Sequence, residues 1–270
     1  MHMSPITYLS TRIYVISTLL LLSFNLTCQD KQTDFESINI SDGWNLVFHD
    51  QCTLDWTENW TLDGLVATVE NTIEGMHFSG GPEAKNDAHH AVLWTKASFA
   101  GDIKIEYDYI RTDSATKFVT ILYIQATGKG EDNFVKDISQ WSKFRQVPAM
   151  RKYFEHMNLL HISYAAFGNQ DDGLYYVRAR RYPKPKDKGF NITRIAPSYD
   201  YEGYVKPGKN YHVTAIKSGN TLYFKMESSD GEELFTWDMS DVDAVTEGRI
   251  GLRHMYTRSA IYKNFKVFTK

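Results

Sequence analysis

The chain has 270 residues, with 30 Lys and Arg against 33 Asp and Glu, a net charge of −3 and 14% aromatic residues. That balance leaves no global basic field for nucleic acid, and two cysteines cannot make a disulfide scaffold. The 17 Tyr and 6 Trp suit a β-rich protein, whether they fill a sandwich core or line grooves that stack on sugar rings.

The first residues read as an export signal. Arg12 precedes the apolar run IYVISTLLLLSF, and NLTC ends at Cys28. The run is shorter than the roughly 20 residues of a membrane-spanning helix. Leu26-Thr27-Cys28 resembles a loose bacterial lipobox, with Thr27 in place of the usual small residue before the lipidated cysteine. The expected organisation is a signal and lipobox over 1–28, a polar tether over 29–40 and a single domain over 41–270. Contact with a membrane is expected only through lipidated Cys28, with the protein in the periplasm or on the outer membrane. Cys52 is then the single cysteine of the mature chain, so no intramolecular disulfide can form.

From Trp44 onward, strand signals dominate. WNLVFHD, GMHFSG, HHAVLWTKASF, DIKIEYDYI, KFVTILYIQAT, LLHISYAAF, LYYVRARRY, NYHVTAIK, TLYFKMES, ELFTWDM, GRIGLRH and SAIYKNFKVFTK are short, β-branched or aromatic, and bounded by turn residues. In DIKIEYDYI, Ile103, Ile105, Tyr107 and Tyr109 fall on one face, and Lys104, Glu106 and Asp108 on the other. Gly219-Asn220 sits at a hairpin turn. This spacing, without βα alternation, predicts an all-β sandwich. Two segments break the rhythm. Residues 131–158 can form helix on either side of Pro148. Residues 183–208 carry four of the seven prolines and read as a long loop, of the kind that forms lids or binding loops.

The C-terminal EGRIGLRHMYTRSAIYKNFKVF, with LWTKASFAGDIKIEYDY, resembles the concanavalin A-like jelly-roll superfamily of lectins and glucanases. More closely, HHAVLWTK, YFEHMNLLHISYAAFG and the C-terminal stretch are similar to a family of secreted bacterial proteins long left as a domain of unknown function. Relatives of that family occur in loci for pectic and algal uronate polysaccharides, and a member acting on ulvan oligosaccharides is understood to be a dehydratase. The resemblance, over roughly residues 40–270, implies a jelly roll that eliminates water from a non-reducing-end uronic acid, leaving a 4,5-unsaturated sugar.

Such an elimination needs a cation on the uronate carboxylate, a base for the C5 proton and an acid for the 4-hydroxyl. Arginine matches a carboxylate with its planar fork, and histidine or tyrosine suits the proton transfers. By alternation Tyr176, Arg178 and Arg180 share a face, as do His161 and Ser163, and as do Tyr123 and Gln125. If these sets lie on one side of the sheet, Gln125, His161, Arg178 and Arg180 converge, with Tyr123 and Tyr176 beside them; otherwise they form a solvated outer face. On the convergent reading Arg178 and Arg180 hold the carboxylate with help from Gln125, and His161 is the base. Tyr164 or Tyr256 is the acid, Tyr164 only if a bulge brings it round. RHMYTR is either a polar hairpin tip or a turn over the groove, adding Arg253 as a substrate contact and His254 or Tyr256 as acid/base groups.

His90, next to His89, is a candidate substrate contact; no third ligand at a telling spacing supports a metal. Trp94 reads as core. Trp141 and Tyr153 read either as a sugar-stacking lid or as packing. Lys184, Lys186 and Lys188 read as a solvated rim. There is no GxSxG, P-loop or GxGxxG motif, so no cofactor is expected. The expected partner is an acidic oligosaccharide. Two other readings stay open: a jelly-roll glycoside hydrolase using Glu106 and Asp108, although EYDY lacks a third acid, and a glycan-binding surface protein without activity.

Overall fold

The computed structural model describes residues 30–170 and 172–270; the expected signal and lipobox, Cys28 included, lie outside them. Residues 30–40, read from composition as tether, form helix α1. They belong to a separate unit from residues 43–270, which form the β-sandwich.

The first sheet has the order β14 (Gly231–Asp238), β13 (Thr221–Ser228), β12 (Asn210–Ser218), β7 (Ile103–Arg111), β16 (Ser259–Thr269), β4 (Gly75–Ser79) and β3 (Thr68–Thr72), with β1 (Asn45–Asp50) also on β16. The second runs β11 (Arg194–Asp200), β10 (Tyr175–Tyr182), β9 (Met157–Phe167), β8 (Phe118–Gly128), β15 (Glu247–His254), β5 (Ala91–Thr95) and β2 (Trp60–Asp63), with β6 (Phe99–Ala100) on β15. The pairings are antiparallel, as alternating apolar and polar strands favour. The expected hairpin closes at Gly219-Asn220, where Ser218 pairs with Thr221.

Period-two alternation fills the space between the sheets. Ile103, Ile105, Tyr107 and Tyr109 of β7 meet Leu122 and Ile124 of β8, Leu160, Ile162 and Tyr164 of β9, and Ile250 and Leu252 of β15 in one buried cluster. Burying each such side chain contributes about 1.5–3 kcal/mol, so this layer carries the fold. Cys52 is buried there, and burial pushes its thiol well above the usual range. A second cluster lies on the outer face of the second sheet, where Trp94, Ile121, Tyr123, Leu159 and Tyr182 are covered by residues of the 131–158 segment.

That segment splits at Pro148 as expected, into a 3-10 stretch (Ile138–Arg145) and helix α2 (Met150–His156). The 183–208 segment is not all loop. It holds a 3-10 turn (Phe190–Thr193) and then β11, an edge strand, which tolerates Pro197 because an edge position need not donate to a neighbour.

Candidate functional site

Asp63, at the end of β2, anchors the cover over the second sheet. Its Oδ2 accepts from Arg145 Nε at 2.6 Å, Trp94 Nε1 at 2.7 Å and Tyr153 Oη at 3.0 Å, all buried. Trp94, Tyr123 and Tyr153 stack with centroids 5.5 to 6.3 Å apart. Trp141 donates to Val135 O at 3.0 Å beneath the Arg145 guanidinium. Trp141 and Tyr153 are therefore packing, not a lid.

Beside this cover, a cavity of about 280 Å³ opens on the outer face of the second sheet. Strands supply Val119, His161, Ser163, Tyr176 and Arg180; α2 supplies Met150 and Phe154, one turn apart; the long connection supplies Phe190. Asp87, His90, Asn169, Met255 and Tyr256 complete the rim. Alternation places the strand residues: His161 and Ser163 point out of β9 while Ile162 and Tyr164 point into the sandwich.

Arg180 is 6% exposed. Its Nη1 donates to Thr193 Oγ1 at 3.1 Å and Phe190 O at 3.3 Å, and the guanidinium lies 4.1 Å over the Phe190 ring. Among the described residues, no carboxylate pairs with it. Desolvation lowers its pKa, opposed by the Tyr182 and Tyr176 phenols and not by a carboxylate. Arg253 lies buried near both cavity histidines; its Nη2 donates to Pro148 O at 2.6 Å, and its Nε and Nη1 have no hydrogen-bond partner among the described residues.

His161 Nδ1 is 2.8 Å from Tyr182 Oη, and Nε2 is 2.6 Å from Ser163 Oγ. Burial, then Arg180 and Arg253, hold its pKa well below the ordinary value. His90 Nε2 is 3.4 Å from Asp87 Oδ1, its Nδ1 has no hydrogen-bond partner among the described residues, and its ring packs 4.3 Å from Tyr256. Burial, then Arg253, bring its pKa to about 2. Both imidazoles are thus neutral at ordinary pH. Tyr256 also packs edge-on against Phe118, and burial raises its hydroxyl pKa.

The cavity therefore gathers His90, His161, Tyr176, Arg180 and Tyr256 of the expected residues. The others stand elsewhere. Gln125 has a φ of 52° at a register shift in β8, which turns it from the face of Tyr123. Its Nε2 instead donates to Phe99 O and Gly101 O at 3.2 and 3.0 Å. Tyr164 stays inside the sandwich, with ring centroids 5.2 Å from both Tyr109 and Phe224. The bulge it needed comes one residue later, at Ala165. His254 faces inward too, 3.1 Å from Tyr262 Oη and edge-on to Phe78, with its pKa lowered by burial to about 3. Arg178 is bound to Asp200 at 2.7 Å and Ser198 at 2.6 Å, and stacks over Tyr176, so it braces the wall without offering free charge. Tyr123 lies under Met150, and Arg253 under the floor. Lys184 and Lys186 line a separate cleft of about 610 Å³, beside Arg151 and Glu155. Tyr182 received no role from the sequence, although it continues the 176, 178, 180 face of β10; Ser163 was placed on the right face without a role.

Comparison with solved structures finds a protein of unknown function with galectin-like fold from Bacillus subtilis, at TM-score 0.62 and 16% identity over 83% of this chain and 97% of that one. The lectin UEA-II, solved in complex with galactose, matches at 0.54 and 9% over 84% and 100%. The exoplasmic/lumenal domain of VIP36, solved in a Ca2+/Man3GlcNAc-bound form, matches at 0.52 and 10% over 79% and 86%. Identities this low establish the galectin- and legume-lectin-like jelly roll and nothing about ligand. No curated protein matches the chain. A family model described as "Domain of unknown function (DUF1961)" matches residues 49–267.

Proposed function

The chain belongs to the DUF1961 family, and from its lectin-like sandwich and cationic cavity we propose that it acts on acidic oligosaccharides. The proposed reaction is β-elimination of water at a non-reducing-end uronic acid, of the ulvan-like kind implied by the sequence resemblance, leaving a 4,5-unsaturated uronate. One observation carries this reading: Arg180 lines the cavity with no carboxylate partner among the described residues. A guanidinium kept from water without a counter-charge is costly, and a ligand carboxylate relieves that cost through paired, charge-assisted hydrogen bonds.

The chemistry follows from that contact. Neutralising the carboxylate makes the C5 proton acidic, because the developing negative charge spreads onto an oxygen already facing a cation. A cavity base removes that proton, the electron pair forms the C4–C5 double bond, and the 4-oxygen leaves as water after taking a proton. The Nδ1 of His90, without a hydrogen-bond partner among the described residues, suits the acceptor, since the neutral ring retains a lone pair and an anionic ligand beside it raises its basicity. Tyr256 and Ser163 supply hydroxyl groups on the cavity wall. The hydrolase alternative has less support: Glu106 and Asp108 lie on the outward face of the other sheet, held by Lys104 at 3.3 Å and by His212 and Asn264 at 2.9 and 2.8 Å. Export and anchoring through Cys28 belong to this proposal; a Cys28→Ala chain that still takes up labelled fatty acid would remove the anchor.

The test is to incubate the protein with glucuronate-terminated oligosaccharides. Ultraviolet absorbance from the conjugated product, with loss of one water and no change in chain length, supports the elimination. Shortened chains carrying that absorbance indicate a lyase, and reducing ends without it a hydrolase. Retention on the oligosaccharide with no product leaves a glycan-binding protein.

A further inference from the structure

We infer that Ser163 is a fixed hydrogen-bond donor to the ligand, and that Tyr182 and His161 stand behind it to set its polarity. The inference deepens the functional reading above and depends on it only for the identity of the ligand. Its basis is the three-membered chain Tyr182 Oη, His161, Ser163 Oγ, with spacings of 2.8 and 2.6 Å, which ends at the cavity wall.

The direction of that chain follows from burial. Tyr182 is fully buried, and its hydroxyl has one partner among the described residues, His161 Nδ1. A buried hydroxyl hydrogen needs an acceptor, so Tyr182 donates and Nδ1 accepts. A neutral imidazole has one N–H, so Nε2 carries it and donates to Ser163 Oγ. The serine oxygen is thereby occupied as an acceptor, and its own hydrogen has no other partner among the described residues. It is free for an oxygen atom of a ligand. The opposite direction, Ser163 donating to Nε2 and Nδ1–H to Tyr182, would strand the phenol hydrogen in a dry site. That opposite direction is also what a nucleophilic serine requires.

Two consequences separate this from the sequence expectation. His161 is a positioning residue: with Nδ1 accepting and Nε2 donating, it has no free lone pair for a ligand proton. Ser163, with Arg180 on the neighbouring strand β10, presents a second donor to an anionic or hydroxyl-bearing ligand. His161 and Arg180 are directly paired across β9 and β10, and Ser163 is the next outward residue on β9.

The test uses the full chain. Long-range nitrogen–proton spectra should show His161 as the Nε2–H tautomer at neutral pH, and Tyr182→Phe should disturb that ring while leaving His254 unchanged. Titration with a glucuronate-terminated trisaccharide should show Ser163→Ala weakening binding about tenfold, the scale of one lost hydrogen bond, with Ser163→Thr recovering part of it. An Nδ1–H tautomer or an imidazolium in the unaltered protein overturns the inference, as does full affinity in Ser163→Ala. If the trisaccharide does not bind but the Nε2–H tautomer is found, the functional reading fails while the polarity of the chain is upheld.

Discussion

Acidification should destabilise this protein steeply in a narrow window, because three histidines are buried in neutral form. His90, His161 and His254 all have pKa values far below the ordinary one, with burial as the first cause. In the unfolded chain each titrates near pH 6.5. Between that value and the folded pKa the unfolded state binds more protons, so stability is present above about pH 6.5 and is lost as pH falls. From pH 7 to pH 5.5 each histidine costs a little over about 1 kcal/mol by this linkage, and the three together roughly 4 kcal/mol. For a domain of this size that is a fall in Tm of roughly 10 °C. Most carboxylates remain ionised over the interval, so the histidine contribution stands nearly alone. Urea unfolding at pH 7, 6.25 and 5.5 measures it, and His254→Gln should remove about a third of the pH sensitivity, whatever it does to stability at pH 7. A denaturation midpoint that does not move between pH 7 and 5.5 would refute the reasoning.

Arg180→Gln should weaken binding of glucuronate oligosaccharides by roughly 30- to 100-fold, the range of a lost charge-assisted contact, yet raise the Tm of the free protein, because an unpaired buried cation is removed; titration calorimetry and thermal melts read the two effects. Arg180→Lys should not restore affinity, since an ammonium cannot offer the planar fork. Asp63→Ala should cost about 3–5 kcal/mol by leaving Arg145 buried without its partner, and limited proteolysis should then cut within residues 131–156. Gln125→Ala should cost about 1–2 kcal/mol through its lost bonds to carbonyls and leave oligosaccharide turnover unaltered, since its side chain does not reach the cavity.

Alternation made much of the architecture legible, and the faces of β7, β9 and β10 follow directly from it. It failed where the backbone departs from the pleat without a glycine to announce it. Gln125 and Ala165 adopt positive φ, and only the pairing register shows it. Arg178 looked like a free cation because its carboxylate, Asp200, lies 22 residues away in a stretch read as loop. Tyr182 was overlooked because its importance comes from what its hydroxyl touches, and a contact across strands is invisible in a linear pattern. Arg180 could be placed on the right face, but its lack of a counter-charge among the described residues is a fact of three dimensions.

Three apolar side chains of the cavity, Met150 and Phe154 from the 131–158 segment and Phe190 from the connection after β10, take no part in the layer between the sheets. Met150, Phe154 and Phe190 can therefore be exchanged without disturbing the layer between the sheets on which folding rests. A scaffold so divided lets its recognition surface diversify while its framework stays constant, and it offers a protein engineer a bounded region in which to retarget the site.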